Sequence, residues 1–435
     1  MGKLRSNDRA GYIFYIGGYL DESIVAERGL PTHNKAGSNR MCRLAEAIRT
    51  CGQRILIISP AVTMRMRWMG QLVHPFRVHT TGKVPVLFCA ALGLPVVGML
   101  LELFFLLSAL VSAARRRRVA AVLIYNFSPT LLLVALWVRL LWRVPIVNNV
   151  EDISVPKWVD WLPGSRARPV QQLVFAVCMV VIIRLSDRII IPTRRFTSFI
   201  PRGKPYIVIP GCMPSCVQVS EPAPGGETGH LPIQLLYAGK VEFEHGIQHL
   251  LRAMSLLSQD GTAASALRVH ICGTGSKVQW VLDYLPKLKG LDIQFHGFVS
   301  DKEYQHLLSQ VDVCFVLQDP AGRYAAYKTP SKAYEYLGYG KMVIATDVGD
   351  LTLLPPEVIT ICYHLNERGL YTEIAAIAND PERPRRQGKA AQRYAQEHFA
   401  YPQVGPRICD FILGTPNQSS ASKMKQWLSC LNPRY

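Results

Sequence analysis

The hydrophobic positions of the chain fall into short apolar runs that alternate with longer helical segments. The run "YIFYIG" at 12–17 predicts a strand, "SNRMCRLAEAIRTCG" at 38–52 an amphipathic helix, and "RILIIS" at 54–59 a second strand. A polar loop that contains a glycine separates the first strand from the helix. Strand, helix and strand in this order form a βαβ unit, so the pattern predicts a parallel sheet.

The same alternation continues along the chain. The strand "VAAVLIYN", a helix opened by Ser128 and Pro129, and the strand "VPIVNN" form a further unit. The strands are almost continuously apolar, which is typical of a sheet that helices cover on both faces. The first part of the chain is therefore predicted to be a doubly wound α/β domain.

One segment interrupts the alternation. Residues 215–231 are rich in Pro, Gly, Ser and Glu and show no periodicity, which predicts a linker. Strands and helices then alternate again, so we expect two tandem doubly wound domains. The predicted parts are an N-terminal domain at 1–214, the linker, a second domain at 232–400, and a C-terminal helix and tail at 401–435 that returns to the first domain.

Residues 84–114 form a long apolar segment with one charged residue, Glu102, and four arginines follow it at 115–118. The segment is long enough to span a bilayer, but a spanning helix would separate the first strands from their partners. A helical pair bent at Pro95 and Gly98 avoids that conflict, either in the membrane interface or packed inside the fold. We favour the interfacial arrangement, in which the arginines bind anionic lipid.

Composition narrows the possible partners. The net charge of +18 over 435 residues favours phosphates, nucleic acid or an anionic membrane surface. The basic residues form no known nucleic-acid-binding module, so we expect no nucleic acid partner. The 11 scattered cysteines include no CxxC pair and are typical of a reduced, cytoplasmic protein. Cys212 and Cys216 would be half of a metal site, but no second pair has a matching spacing, so no metal is expected.

The N-terminus gives two further indications. The segment "MGKLRSNDRAG" is polar and the apolar run after it is too short for a signal peptide, so none is expected here. The letters from Met1 and Gly2 to Ser6 fit the short N-myristoylation pattern.

Candidate ligand loops follow the strands of the second domain, because open α/β sheets bind ligands beyond the carboxyl ends of their strands. Gly273 and Gly275 allow backbone amides to approach a phosphate, and a helix predicted to start near Ser276 directs its positive end to the same place. The segment "TPSKAYEYLGYGK" starts a second helix, for which Thr329 is the predicted cap and Pro330 the first residue. Two helix starts with nearby lysines suit a diphosphate.

Glu335 lies one turn inside that second helix. A carboxylate there repels phosphate but accepts hydrogen bonds from a ribose diol, as acids do beside nucleotides in other α/β folds. An exposed helix acid with no ligand is the simpler alternative.

Taken in order, these motifs resemble those of retaining GT-B fold glycosyltransferases of the family 4 type, over residues 11–413. The segments "LLYAGKVEFEHGIQHLLRAM", "VHICGTG", "IQFHGFVSDKEYQHLLSQVDVCFV" and "TPSKAYEYLGYGKMVIATDVGD" keep the order and spacing of that family's glycine loops. The resemblance implies two Rossmann-like domains facing a cleft, with a nucleotide-diphospho-sugar donor held by the second domain and an acceptor held mainly by the first. It implies no cofactor and no metal, since helix dipoles and basic side chains stabilise the leaving diphosphate.

The resemblance also implies roles for single residues. Lys240 matches a basic residue that contacts the diphosphate, Phe298 and Val299 match the segment beside the base, and Glu335 matches the glutamate that binds the ribose. Gly37 falls in the first domain's glycine loop. The full set of expected donor-binding residues is Gly37, Gly239, Lys240, His245, Gly246, Gly273, Gly275, Phe298, Val299, Ser331, Lys332 and Glu335.

Two positions depart from the family pattern. Tyr327 stands where the first glutamate of the family's pair is found, and His245 stands in place of a lysine. A fixed positive charge at position 245 thus becomes dependent on pH. The form "PSK…EYLGYGK" nevertheless resembles the branch that serves bacterial surface-polysaccharide assembly and lacks the first glutamate.

In the first domain, "VPIVNNVEDISVP" at 144–156 resembles the same branch's segment in which a strand ends near an acid. Asp152 is the best candidate for a polar group that faces the reacting sugar, with Asn149 and Glu151 behind it. The resemblance implies retention by front-face attack assisted by the donor's phosphate, so no nucleophilic triad is expected.

Three functions remain compatible with the sequence. The leading one is a glycosyltransferase of the hexosyl or N-acetylhexosaminyl class that acts on a lipid-linked or polysaccharide acceptor, peripheral or monotopic on the cytoplasmic face of the cell membrane. A catalytically inactive homologue that binds a nucleotide sugar or a partner enzyme is the second. A nucleotide-sugar epimerase is the third, and it leaves the apolar segment 84–114 unexplained.

Overall fold

The computed structural model describes residues 11–30, 35–60, 72–153, 169–215, 232–260, 266–322, 324–363 and 365–414. The myristoylation pattern and most of the predicted linker lie outside these ranges. The chain divides into two compact units, here called unit 1 (Met1–Pro214 with Tyr401–Tyr435) and unit 2 (Ser215–Ala400).

Unit 1 is built on a sheet of eight strands. The strands of this unit are β1 (Tyr12–Ile16), β2 (Arg54–Ser59), β3 (Val73–His74), β4 (Arg77–Thr81), β5 (Val84–Phe88), β6 (Ala91–Leu92), β7 (Val119–Tyr125), β8 (Ile146–Asn149), β9 (Arg188–Ile191) and β10 (Tyr206–Val208). The main sheet has the order β10-β9-β8-β7-β1-β2-β5-β4, and β3 pairs separately with β6. All of its neighbours are parallel except the antiparallel pair of β4 and β5.

Helices cover both faces of this sheet. They are α1 (Glu22–Glu27), α2 (Lys35–Thr50), α3 (Pro95–Arg115), α4 (Pro129–Trp137), α5 (Pro169–Leu185) and α12 (Tyr401–Leu413), and a π-helical turn at Val138–Trp142 extends α4. Buried side chains of α2 and α12 pack on one face. Those of α3, α4 and α5 pack on the other. Because each face has its own apolar core, the strands are buried on both sides, as their composition predicts.

The structure corrects the prediction for residues 84–114. The first part of this segment forms strands rather than a helix, since β5 pairs with both β2 and β4. Its side chains alternate along the strand, and Val84, Val86 and Phe88 are fully buried. This period of two was present in the sequence, but the length of the apolar run concealed it. Only α3 remains helical, and its Leu106 and Leu110 lie in the core of unit 1.

No helix in the described ranges is both long enough and apolar enough to cross a membrane.

Helix α12 completes unit 1 although it follows unit 2 in the chain. The amide of Tyr401 donates to the carbonyl of Met213 at 2.9 Å, and the Tyr401 hydroxyl donates to Glu46 on α2 at 2.9 Å. At Gly405 the backbone approaches the carbonyl of Ala47 so closely that a β-carbon would overlap it. The apolar core on the α2 face of the sheet therefore includes side chains from both ends of the described chain.

Unit 2 contains a sheet of six parallel strands. They are β11 (Ile233–Ala238), β12 (Leu267–Cys272), β13 (Asp292–Gly297), β14 (Val313–Val316), β15 (Met342–Thr346) and β16 (Thr360–Cys362). Their order, β13-β12-β11-β14-β15-β16, is the 3-2-1-4-5-6 order of dinucleotide-binding folds. The expectation of two Rossmann-like α/β domains is thereby confirmed.

The helices of unit 2 connect these strands. They are α6 (Ile247–Asp260), α7 (Val278–Tyr284), α8 (Asp301–Gln310), α9 (Ser331–Gly338), α10 (Glu367–Asn379) and α11 (Arg383–His398). The strand order reverses between β11 and β14, and a fold of this kind leaves a crevice at that point, beyond the carboxyl ends of the two strands. We therefore expect the ligand site of unit 2 there.

Candidate functional site

The loops after β11 and β12 form one tightly packed backbone surface. The amide of Gly239 donates to the carbonyl of Cys272 at 3.0 Å, and the amide of Gly273 donates to that of Gly297 at 2.7 Å. A β-carbon on Gly273 would overlap the carbonyl oxygen of Gly239, and one on Gly275 would overlap that of Val241. With a φ of 140°, Gly273 also has a backbone conformation that other residues rarely adopt. These glycines are therefore required for the two loops to meet.

An acid that the sequence reading passed over joins the same loops. The carboxylate of Glu242 accepts hydrogen bonds from the amide of Ser276 at 2.5 Å and from its hydroxyl at 2.7 Å. These bonds lower the pKa of Glu242. The Ser276 amide, which was predicted to bind a phosphate, instead donates to a carboxylate of the chain itself. Helix α7 starts at Val278 with Lys277 as its N-cap, close to the predicted position.

His245 lies in the loop after β11, near both basic and acidic side chains. Burial lowers its pKa, the nearby charges of Lys240 and Lys328 lower it further, and two nearby glutamates oppose this change in part. The imidazole is therefore neutral at neutral pH. Gly246 follows it with a φ of 75° and packs against the carbonyl of Leu317, so the loop approaches the end of β14.

The start of α9 lies at the same edge of the sheet. Pro330 is the N-cap and Ser331 the first helical residue, one position later than predicted. The Nζ atom of Lys332 donates to the carbonyl of Ala238, the last residue of β11, at 2.7 Å, and lies 4.8 Å from the ring centroid of Tyr304. Since β11 borders the reversal of strand order, Lys332 brings its charge to the predicted ligand crevice.

Two further expected donor residues lie on α9 and after β13. Glu335, in the second turn of α9, is half-buried. Phe298 follows β13 and is 77% exposed, an unusual state for so large an apolar side chain, while Val299 is half-buried. Tyr327 lies in the 3₁₀ turn Ala325–Tyr327 that precedes α9. Unit 2 therefore brings the predicted glycines, lysines, His245 and α9 to one edge of its sheet.

In unit 1 the candidate polar residues lie at the end of β8. Asn149 is buried and its amide nitrogen donates to the Tyr15 hydroxyl at 2.8 Å. Its side-chain oxygen is buried without a hydrogen-bond partner among the described residues. Asp152 is exposed, which leaves one carboxylate of this group accessible to solvent.

Asn126, which the sequence reading missed, organises this strand end. It follows β7 with a φ of 58°, a left-handed conformation that Asn tolerates better than most residues. Its side-chain oxygen accepts the amides of Glu151 at 2.7 Å and Asp152 at 3.1 Å, and its amide nitrogen donates to the Asp152 carboxylate at 2.8 Å. An asparagine directly after a buried strand was the available signal.

Glu151 has a different environment from Asp152. Its carboxylate accepts a hydrogen bond from Arg40 Nε at 2.8 Å, and the two side chains are 14% and 9% exposed. Arg40 also donates to the carbonyls of Ile209 and Pro210. Burial raises the pKa of Glu151, and the Arg40 guanidinium opposes that change. This geometry makes Glu151 a partner of Arg40 and directs it away from solvent.

Gly37 does not lie in a loop. Helix α2 begins at Lys35, so Gly37 is in its first turn and is buried. The polar character of the segment before residue 38 had suggested a later start. Residues 31–34, which precede the helix, lie outside the described ranges.

Within the described ranges, no cluster of three or more His, Cys, Asp or Glu side chains is arranged to hold a metal ion. Cys212 is buried and its thiol contacts the carbonyl of Arg43 at 3.6 Å. Cys216 lies outside the described residues.

Two Rossmann-like units, the second with glycine loops and basic side chains at its carboxyl edge, are the architecture found in GT-B glycosyltransferases. Residues 232–379 match the family described as "Glycosyl transferases group 1". Unit 2 therefore carries a glycosyltransferase group 1 domain.

Similar solved structures and a sequence relative agree with this assignment. The structure is similar to sucrose-phosphate synthase from Thermosynechococcus elongatus, with a TM-score of 0.62 and 16% identity over 92% of this chain and 97% of that one. It is also similar to Anabaena Alr3699/HepE in complex with UDP and glucose, with a TM-score of 0.61 and 14% identity over 92% and 98% of the chains. Glycogen synthase of Mycobacterium tuberculosis is 23% identical over 281 residues, which cover 62% of this chain and 63% of the relative.

We expect the buried ion pair of Arg40 and Glu151 to contribute to the stability of unit 1. Replacement Arg40→Met should lower the free energy of unfolding of unit 1 by about 3 to 5 kcal/mol, because it leaves a buried carboxylate without its cation. The double change Arg40→Met with Glu151→Leu should cost less than the single change. Urea denaturation measures both.

The exposed Arg202→Met serves as the control and should leave the transition unchanged. Equal losses in the single and double variants would show that Glu151 does not depend on Arg40.

Proposed function

We propose that this protein is a retaining glycosyltransferase of the family 4 type, which transfers a sugar from a nucleotide-diphospho-sugar to a lipid-linked or polysaccharide acceptor. Unit 2 binds the donor and unit 1 the acceptor. The observation that carries the proposal is the convergence of glycine loops, basic side chains and the start of α9 at the strand-order reversal of a glycosyltransferase group 1 domain.

The donor diphosphate binds in this proposal at the carboxyl edge of β11. Lys332 reaches the end of that strand, and Lys240, Lys328 and His245 lie close enough together for their charges to interact. The backbone amides in the first turn of α9 add partial positive charge at the same edge. This arrangement supports charge stabilisation of a leaving nucleoside diphosphate, which is the main requirement of the reaction.

The nucleoside lies along α9 and the loop after β13. Glu335 accepts hydrogen bonds from the ribose hydroxyls, and the exposed ring of Phe298 borders the base. The UDP in the Anabaena complex and the glycogen made by the Mycobacterium relative support a nucleotide-sugar donor and a glycan acceptor.

Transfer itself proceeds on one face of the sugar. The bond from the anomeric carbon to the diphosphate oxygen breaks, the acceptor hydroxyl bonds to the same face, and its proton passes to the departing phosphate. Asp152, the accessible carboxylate at the end of β8, orients the reacting sugar, and Asn149 and Asn126 hold that strand end in place. Glu151 stabilises the same strand end through its ion pair with Arg40.

The second candidate function is nucleotide-sugar binding without turnover, as in an inactive homologue. The observation in its favour is the pair of departures, Tyr327 in place of an acid and a neutral His245 in place of a lysine. Peripheral association with an anionic membrane surface on the cytoplasmic side fits both candidates, because the net charge is +18.

The discriminating experiment is a panel of UDP-, GDP- and ADP-sugars with membrane lipid extract as acceptor source. We expect release of the nucleoside diphosphate from one donor and transfer of its sugar to lipid or glycan. Binding of a donor without release in any combination would select the inactive homologue.

The ribose assignment predicts that Glu335→Gln weakens nucleotide-sugar binding by about 1 to 3 kcal/mol, the scale of a lost charged hydrogen bond. Calorimetric titration measures this affinity. Glu357→Gln, an exposed acid of unit 2, is the matched control and should bind as the unchanged protein does. Equal affinity in the Glu335 variant would contradict the assignment.

His245 predicts a pH dependence. Its pKa is lowered in the free protein, so the imidazole gains a proton only as the pH falls below its ordinary range. Binding of a nucleotide sugar, whose diphosphate keeps a constant charge, should therefore strengthen as the pH falls from about 7 to about 5, because the ordinary histidine pKa is about 6.5.

Three variants test whether His245 causes this pH dependence of binding. His245→Gln should remove the gain at low pH, and His245→Lys should give tight binding at both values. His306→Gln, at an exposed histidine of α8, should keep the dependence of the unchanged protein. A profile in His245→Gln that matches the unchanged protein would refute the assignment.

A further inference from the structure

Exposed apolar side chains lie on two neighbouring helical segments of unit 1. Helix α5 buries Cys178, Met179 and Ile182 against the sheet, yet its opposite side is also apolar. Valines and leucines at positions three or four apart form an exposed stripe there. Two leucines are also exposed on the π-helical turn that extends α4, the helix that packs against α5. We call this surface the apolar patch, defined by Leu140, Leu141, Leu173, Val174, Val177 and Val180.

The patch is larger than the isolated apolar side chains of ordinary surfaces. Leu140 and Leu141 are 72% and 64% exposed, and α4 packs directly against α5. A helix that is apolar on all sides is normally buried on all sides or in contact with lipid. Several large apolar side chains exposed on neighbouring helices mark an interaction surface.

Arginines border one end of the patch. Helices α3, α4 and α5 each run from the carboxyl edge of the sheet to the edge where β7, β8 and β9 begin. Their ends at that second edge carry exposed arginines: Arg115 and Arg116 at the end of α3, Arg139 and Arg143 around Leu140 and Leu141, and Arg184 on α5. Asp187 pairs with Arg139 at 2.8 Å. Basic residues at helix ends complement the helix dipole, which would account for these arginines. The helix dipole does not account for the exposed leucines between them.

Aliphatic side chains bordered by arginines match the chemistry of an anionic bilayer. The arginines bind lipid phosphates at the headgroup level, and the leucines and valines enter the acyl boundary. Protein interfaces, by contrast, are enriched in aromatic anchors at their centre, and the patch consists of Leu and Val. Charge and composition thus select lipid as the partner.

We propose that the apolar patch is the surface through which unit 1 lies on an anionic phospholipid bilayer. This inference extends the proposed lipid-linked acceptor, and it places the membrane contact on α5 and the end of α4 instead of residues 84–92, which form strands. The stripe on α5 begins at the edge of the sheet that carries Asp152. An acceptor anchored in the bilayer would then reach that carboxylate along α5.

The test is sedimentation of the full chain with phosphatidylcholine vesicles that contain or lack phosphatidylglycerol. We expect binding to the anionic vesicles that declines as salt is raised. The double variant Leu140→Ser with Leu141→Ser should weaken binding at least about tenfold, because two exposed leucines lose their transfer into lipid. Val174→Ser with Val177→Ser should act in the same direction.

Two further variants complete the design. Arg115→Gln with Arg116→Gln should weaken binding to anionic vesicles about fivefold for each arginine, equivalent to about 1 kcal/mol per charge. It leaves the apolar side chains intact, so it tests the proposal even if a serine variant fails to fold. Val78→Ser, at a 69% exposed valine of the edge strand β4, is the matched control and should bind like the unchanged protein.

Unchanged binding in the leucine and arginine variants would overturn the proposal. Light scattering that shows a dimer, which the leucine variant dissociates, would overturn it in favour of a second copy of the chain. Donor affinity, measured in parallel, separates the two proposals: vesicle binding without any donor binding would refute the proposed function and leave the membrane surface standing.

Discussion

Parallel strand pairing is the constraint on which the rest of this molecule depends. Because parallel strands are joined by crossovers that lie over the faces of the sheet, their carboxyl ends meet at one edge and their starts at the other. In unit 2 the first edge collects the glycine loops, Lys332 and the start of α9. In unit 1 it collects Asn126, Asn149 and Asp152, while the opposite edge collects the arginines at the helix ends. One rule of chain geometry therefore separates the proposed chemistry from the proposed arginine contacts with lipid.

Much of the fold could be predicted from the sequence because its strands are short apolar runs between polar loops, and helices such as α2 and α6 carry clear apolar periodicity. Strand β5 shows where this fails. Its alternation of buried Val84, Val86 and Phe88 spans few residues, and the apolar helix that follows extends the run. Hydrophobicity alone does not distinguish a buried strand from a buried helix when both are apolar.

The site was predictable in part for a related reason. Loop glycines and α9 are local features, so sequence order locates them to within a residue or two, as the start at Ser331 shows. Side-chain pairs that join distant segments are not local. Arg40 and Glu151 are 111 positions apart, and their contact depends on the packing of α2 beside the end of β8. Glu242 was missed because it is 34 positions from Ser276 in the sequence, and only the fold brings its carboxylate beside that residue.

Helix α12 has a consequence for how the protein is made. Unit 2 is one uninterrupted stretch of chain, so all of its strands are available as soon as residue 400 has left the ribosome. The core between α2 and the first sheet instead requires Val404, Ile408 and Ile412, which are translated later. During synthesis the N-terminal domain usually folds first. Here unit 1 can complete its core only after all of unit 2 has been translated. The first unit to begin translation is the last to close its core, and until then the apolar side of α2 lacks the cover that α12 provides.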